Sequence, residues 1–96
     1  MWVILLEKAW AKIHGSYETI IAGDGAEALR DITGAPSYNY DIKDEETWDR
    51  IASAYNKGYI IVTSTKSDNK EVDYAKLGLV DGHEYAILQC AIVINS

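Results

Sequence analysis

The sequence predicts an α+β fold, with helices in the N-terminal half and antiparallel strands in the C-terminal half. Apolar residues recur with the 3.6-residue period of amphipathic helices up to about residue 57. After Gly58 the chain changes to β-branched and aromatic residues, interrupted by one long polar stretch. A chain of 96 residues is long enough for one small domain or for part of a larger one.

The first element is predicted to be a helix that ends at Gly15, because glycine commonly follows the last residue of a helix. No N-cap residue precedes its apolar run. We therefore expect a chain that is truncated relative to its ancestor. The apolar stripe recurs at i, i+3, i+7 and i+10 and is widened on both sides. Its members are Val3, Leu6, Trp10 and Ile13, with Trp2, Leu5 and Ala9 beside them.

A second helix is predicted over about residues 25–33. Asp24 is a suitable N-cap, Glu27 completes a capping-box pattern three positions later, and Gly34 ends the helix. Residues 37–43 are expected to be extended or irregular.

A third helix is predicted from an N-cap at Asp44 to a stop at Lys57 and Gly58. Acidic residues directly after Asp44 would complement the positive end of the helix dipole. The apolar face recurs at i, i+3, i+4 and i+7, and consists of Trp48, Ile51, Ala52 and Tyr55.

Two strands and a polar loop are predicted in the C-terminal half. The first strand covers residues 59–65, residues 66–76 form the loop, and the second strand runs from near His83 to Ile94. Alternation of side chains would give this strand one apolar face and one mixed face, as expected between a core and a cleft. The apolar face consists of Ala86, Leu88, Cys90, Ile92 and Ile94, and the mixed face of His83, Tyr85, Ile87 and Gln89.

Composition excludes several classes of function. The formal net charge is −6 and the basic residues are scattered, so the field would repel nucleic-acid phosphates. No apolar run approaches the ~20 residues of a membrane span. Cys90 is the only cysteine and cannot form an internal disulfide, which favours a reducing compartment. We therefore expect a cytoplasmic location and a protein or peptide partner.

Three sequence blocks occur in a characteristic order. Residues 2–17 read W-V-I-L-L-E-K-A-W-A-K-I-H-G-S-Y, residues 27–34 read E-A-L-R-D-I-T-G, and residues 78–85 read G-L-V-D-G-H-E-Y. These blocks resemble the calpain family of papain-like cysteine proteases, whose blocks read W-x-x-L-L-E-K-A-Y-A-K-x-x-G-S-Y, E-A-x-x-D-[FL]-T-G and G-L-V-x-G-H-A-Y. The resemblance implies that residues 1–96 are part of a two-lobed catalytic domain. Residues 1–34 would be its helical part, and residues 35–96 would add a helix and the β-lobe.

The resemblance makes His83 the catalytic histidine, the general base that activates a thiol. It implies that His83 lies at the surface of a groove and that the Gly82 carbonyl accepts a hydrogen bond from the substrate main chain. Glu84 stands where the family usually has alanine, beside the pocket for the substrate's second side chain. A carboxylate there would select basic side chains, fill the pocket, or mark relaxed selection for cleavage.

The nucleophile is not expected among these residues. Cys90 follows His83 by seven positions, which on a continuous strand places it ~23 Å away and on the opposite face. The family's cysteine block would lie before residue 1 and its Asn-Pro-Trp block after residue 96. Asn95 is too close to His83 for the orienting asparagine and is interpreted as a chain-end residue.

Three hypotheses remain open at this stage. The chain is part of a thiol protease whose remaining groups come from elsewhere, or a catalytically dead remnant that serves as an interaction module. The third is a fragment without independent function. In either of the first two cases we expect a protein partner to cover the first helix and the last strand.

No metal site is predicted. The spacing of His14, His83 and Cys90 matches no zinc motif, and His14 is expected to interact with the dipole at a helix end. The acidic stretch of residues 68–73 lacks the glycine and the final glutamate of an EF-hand loop. We expect no cofactor in this chain; calcium dependence is implied only by the family resemblance.

Overall fold

The computed structural model describes residues 1–94. This range contains three α-helices, two short 3₁₀ turns and one two-stranded antiparallel sheet, which confirms the α+β prediction. The chain divides into two compact units, Met1–Tyr38 and a second that begins at Asn39. No helix within the described range is long and apolar enough to cross a membrane.

Helix α1 spans Trp2–His14 and ends at Gly15, whose φ of 107° is unfavourable for residues with a side chain. The Thr19 hydroxyl donates to the carbonyl of Ser16 at 2.7 Å and shares this proton with the carbonyl of His14, in the last turn of the helix, at 2.9 Å. Most of the apolar stripe is exposed, as expected for a helix that the rest of the chain does not cover. Of the hydrophobic residues in the described range, Ala11 alone is buried, whereas Trp2 is 73% exposed.

Helix α2 spans Gly25–Thr33, as predicted. The Asp24 carboxylate accepts a hydrogen bond from the backbone of Ala26 at 3.0 Å, which is the expected N-cap interaction. Gly34 has a left-handed conformation with φ 73°, and its N–H donates to the carbonyl of Arg30 at 2.8 Å.

Helix α3 spans Thr47–Asn56, so the predicted N-cap at Asp44 is wrong. Consecutive turns occupy the chain up to Thr47. The Asp41 carboxylate accepts from the N–H of Lys43 at 3.0 Å, and the buried Thr47 hydroxyl donates to the Asp41 carbonyl at 2.6 Å. The backbone of Asp44 lies between these turns and accepts from the N–H of Thr47, so helical geometry begins only at Thr47.

The sheet consists of β1, Val62–Ser64, and β2, Glu84–Ala86. Val62 pairs with Ala86 and Ser64 with Glu84 in an antiparallel register. Both strands are shorter than predicted. One further bond, from the N–H of Ile87 to the carbonyl of Ile61 at 3.0 Å, extends the pairing, and no regular strand follows within the described range.

The predicted apolar face of the last strand is therefore also wrong. Leu88 is 89% exposed, Ile92 and Ile94 are exposed, and Cys90 is half-buried. A two-stranded sheet offers no second layer against which such a face could pack.

The loop that follows β1 is polar and irregular, as predicted, except for an unpredicted 3₁₀ turn at Ala75–Leu77. A second such turn, Glu18–Ile20, follows α1.

Candidate active site

His83 lies directly before β2, and the structure leaves it exposed. Its backbone pairs with Thr65, which directly follows β1. The N–H of Thr65 donates to the His83 carbonyl at 2.9 Å, and the N–H of His83 donates to the Thr65 hydroxyl at 3.0 Å. The pairing of the two strands thus fixes where the imidazole leaves the main chain.

The Thr65 side chain forms a second link to the same turn. Its half-buried hydroxyl donates to the carbonyl of Val80 at 2.5 Å, with a longer contact of 3.3 Å to the His83 carbonyl. One hydroxyl oxygen therefore contacts both the first and the last residue of the 80–83 turn.

Tyr85 supports the imidazole from the same face of the strand. The rings of His83 and Tyr85 meet edge to face, with centroids 4.9 Å apart and an interplanar angle of 86°. The contact confirms the predicted alternation that placed both residues on one face. The Tyr85 hydroxyl also accepts a hydrogen bond from the N–H of Val80 at 3.0 Å.

Gly82 has φ 57°, in the left-handed region that residues with a β-carbon rarely adopt. A β-carbon at this position would lie 2.5 Å from the Ser67 hydroxyl oxygen. The backbone conformation therefore favours glycine, and a β-carbon would also force the Ser67 hydroxyl to move. The structure thus adds a left-handed backbone conformation to the roles expected of Gly82.

Glu84 opens β2, is exposed, and pairs with Ser64. Strand alternation directs its side chain to the face opposite Tyr85. His83 and Glu84 are therefore neighbours in sequence that project from different faces of the hairpin.

Cys90 is a free, half-buried cysteine. Because β2 ends at Ala86, the argument that placed Cys90 on a continuous strand with His83 does not hold in the structure. Among the hydrogen bonds of residues 1–94, none joins the Cys90 thiol to the imidazole of His83. Asn95 lies outside the described residues.

The imidazole of His83 has no ion pair or side-chain hydrogen bond within residues 1–94, and its ring contact is with Tyr85. An exposed imidazole of this kind can accept a proton from an approaching nucleophile and deliver it to a leaving group. Two shallow depressions lie in the second unit; one is bordered by Asp81 of the 80–83 turn, and neither is lined by His83.

The other histidine lies in a separate polar cluster. His14 packs against Trp10 with centroids 4.2 Å apart, and its Nε2 lies 3.5 Å from the carboxylate of Asp31. One ligand atom each from His14, Glu27 and Asp31 fall within 4.8 Å of one another. Closed structural zinc sites use four nitrogen or sulfur ligands. This cluster instead offers one imidazole and two carboxylates, and both carboxylates are exposed. The i, i+4 spacing of Glu27 and Asp31 is readable in the sequence, but their proximity to His14 is not.

Comparison with known proteins matches residues 1–96 to the profile of the calpain family cysteine proteases. Rat (Rattus norvegicus) calpain-9 is 36% identical over 90 residues, which covers 90% of this chain and 13% of the relative. Calpain clp-1 of Caenorhabditis elegans is 38% identical over 96 residues, covering 96% of this chain and 12% of the relative.

A plant relative matches over a similar range. The calpain-type cysteine protease DEK1 of Zea mays is 33% identical over 98 residues, covering 93% of this chain and 4% of the relative. The chain thus spans a small part of the length of these relatives. No solved structure matches the chain.

Proposed function

The chain belongs to the calpain family of cysteine proteases and corresponds to part of their catalytic domain, and we propose that His83 is its general base in peptide-bond hydrolysis. The observation that carries the proposal is that the family's glycine–histidine block lies at an exposed strand entrance, where the imidazole is free of ion pairs within residues 1–94. Two short blocks upstream match the family in the same order.

In this proposal the imidazole of His83 takes the proton of a cysteine thiol as the sulfur attacks the peptide carbonyl. It then donates that proton to the departing amine, and a water molecule releases the acyl group in a second cycle. In the same proposal, the carbonyl of Gly82 accepts a main-chain hydrogen bond from the substrate. Glu84 would border the pocket for the substrate's second side chain.

We propose that the nucleophile and the orienting amide come from residues outside these 96 or from a partner chain. Cys90 is half-buried, and within the described range its thiol forms no hydrogen bond with His83. The 96-residue chain alone is then expected not to cleave peptides. We also propose calcium dependence, from the family resemblance, and a cytoplasmic location, from the single free cysteine.

The experiment has two arms. The purified chain is incubated with a calpain peptide substrate, with and without calcium, beside Cys90→Ser. Turnover that disappears in Cys90→Ser would refute the assignment of the nucleophile to other residues.

In the second arm, residues 1–96 replace the matching segment of rat calpain-9, and peptide hydrolysis is compared with that of His83→Ala. General acid–base catalysis contributes about 10²- to 10⁴-fold to the rate, so His83→Ala is expected to lower kcat by about 10²-fold or more. His14→Ala, in the same chimera, is the matched histidine control. Full activity of His83→Ala in a folded chimera would refute the general-base role.

A second candidate is a catalytically inactive interaction module. It is favoured by the exposed apolar residues of α1 and of the segment after β2, which in a folded protein indicate a surface that another polypeptide covers. Reading the transcript on both sides for a Gly-Asp-Cys-Trp block and an Asn-Pro-Trp block separates the two candidates. If both blocks are present in frame, the protease is favoured; if the coding sequence lacks both, the module is favoured.

A further inference from the structure

We infer that Thr65 is a positioning residue that holds His83 in place, an inference that rests on the proposed general-base role of His83. Thr65 would not touch the substrate. It would act through the backbone of the 80–83 turn, from which the imidazole projects.

The first argument is the number of contacts made by one side chain. The Thr65 hydroxyl accepts from the N–H of His83 and donates to the carbonyl of Val80, at opposite ends of the turn. Its own backbone N–H donates to the His83 carbonyl. Both polar backbone groups of His83 are therefore engaged by a single residue, and the hydroxyl supplies the bond that the strand ladder does not provide.

The second argument is that the turn is tethered from both sides. The N–H of Val80 donates to the Tyr85 hydroxyl, and the Val80 carbonyl accepts from the Thr65 hydroxyl. Tyr85 in turn contacts the ring of His83. The same two side chains thus fix the start of the turn and the residue that would carry the chemistry.

The third argument is the exposed state of the imidazole itself. Within residues 1–94 no carboxylate or amide forms an ion pair or hydrogen bond with its ring nitrogens, so its position depends on the main chain and on Tyr85. A displacement of about 1 Å of a catalytic group can lower the rate by about a hundredfold. The backbone anchor therefore sets where the ring lies when the thiol and the orienting amide of the proposed enzyme approach it.

The test compares Thr65→Val, which keeps the β-branched shape and removes the hydroxyl, with Thr65→Ser, which restores it. Thr63→Val is the matched control, because Thr63 lies on β1 opposite Tyr85. The whole 96-residue chain is used. The first readout is the hydrogen-exchange rate of the His83 amide. The second is the contribution of the Tyr85 ring to the chemical shifts of the His83 ring protons, obtained by measuring each variant with Tyr85 and with Tyr85→Leu.

Loss of the acceptor in Thr65→Val is expected to accelerate exchange of the His83 amide about five- to tenfold. The Tyr85 contribution to the His83 ring-proton shifts should fall by roughly half or more. The backbone N–H of position 65, which reports the strand pairing, should stay protected from exchange. Thr65→Ser should restore both values and Thr63→Val should leave both unchanged. Unchanged signals in Thr65→Val, or equal changes in Thr63→Val, would overturn the inference.

The calpain-9 chimera then separates this inference from the proposed function. Thr65→Val should lower kcat by up to about a hundredfold with little change in KM, and Thr65→Ser should recover it. If His83→Ala abolishes hydrolysis but Thr65→Val is fully active, the inference fails and the general-base role stands. If His83→Ala is active, the proposed function fails, whatever the amide and ring signals show.

Discussion

The hairpin that carries His83 and the first helix are stabilised in opposite ways. In the hairpin, the polar groups of the 80–83 turn find partners within the chain, chiefly the hydroxyls of Thr65 and Tyr85. In α1 the backbone is regular, but the apolar side chains have little to pack against, and Ile13 is 74% exposed.

This difference shows which interactions the 96 residues can satisfy alone. Hydrogen bonds within a hairpin need only neighbouring segments, whereas burial of an amphipathic helix needs a second layer. The candidate site is therefore organised locally, and we propose that another polypeptide covers the apolar surfaces.

Adding charge to α1 should give the largest effect. Trp2→Glu is expected to weaken self-association of the purified chain, or its binding to a covering partner, by about 30-fold or more, because buried tryptophans at interfaces contribute 2 kcal/mol or more. Tyr38→Glu is the matched control, since Tyr38 is 71% exposed, close to the 73% of Trp2, but lies outside α1. Light scattering and sedimentation measure the association.

Two outcomes would remove the contrast between helix and hairpin. The chain without substitutions could be a compact, cooperatively folded monomer at high concentration, or Tyr38→Glu could weaken association as much as Trp2→Glu. Either result would mean that α1 needs no cover.

The turn before His83 provides the second test. Gly82→Ala should destabilise the hairpin by about 2 kcal/mol, because a left-handed alanine costs about 1–2 kcal/mol and its β-carbon meets Ser67. Gly78→Ala is the control: its φ is also positive, at 74°, but nothing lies within 4 Å of an added β-carbon. It should cost only about 1 kcal/mol. Hydrogen exchange of the β1–β2 amides measures both.

Ser67→Gly combined with Gly82→Ala isolates the contact from the backbone strain. The double variant should regain only the difference in hairpin stability between Gly82→Ala and Gly78→Ala. Recovery of the full stability would show that strain at Gly82 contributes nothing.

The sequence predicted the parts that depend on local chemistry. The period of α1, the cap and stop of α2 and the placement of His83 beside Tyr85 on one strand face all follow from neighbouring residues. Burial of the apolar faces could not be predicted in this way, because a local pattern shows that Leu88 and Trp2 are apolar but does not show what packs against them. The anchor at Thr65 was also missed, since it lies 18 residues from His83 and only the strand pairing brings the two together.

The two predicted N-caps give the third test, because only one of them caps a helix. Asp24→Ala should reduce the stability of α2 by about 1 kcal/mol, through loss of the bond to the N–H of Ala26. Asp44→Ala should change α3 by less than about 0.5 kcal/mol, as for an ordinary surface substitution. Carbon-13 chemical shifts report the population of each helix. Equal losses in α2 and α3 would show that Asp44 acts as a cap in solution.

The smallest expected effect is the pH dependence of the turn before α3. The backbone N–H of Lys43, and then the ammonium of Lys66, hold the pKa of Asp41 below its ordinary value. A depressed carboxyl pKa stabilises the folded turn fully above the ordinary value, and this stabilisation is lost as the pH falls through the depressed value. The amide exchange of Thr47 should therefore accelerate only at strongly acidic pH.

Asp41→Asn should flatten this dependence, because the amide oxygen can still accept from Lys43 but does not titrate. High salt should remove the part due to Lys66, whose ammonium lies 3.8 Å from the carboxylate in an exposed pair, and leave the part due to the hydrogen bond. The same acid response in Asp41→Asn would assign it to another carboxylate. Because this turn is bonded within the chain, like the hairpin, its response should be independent of any polypeptide that covers α1.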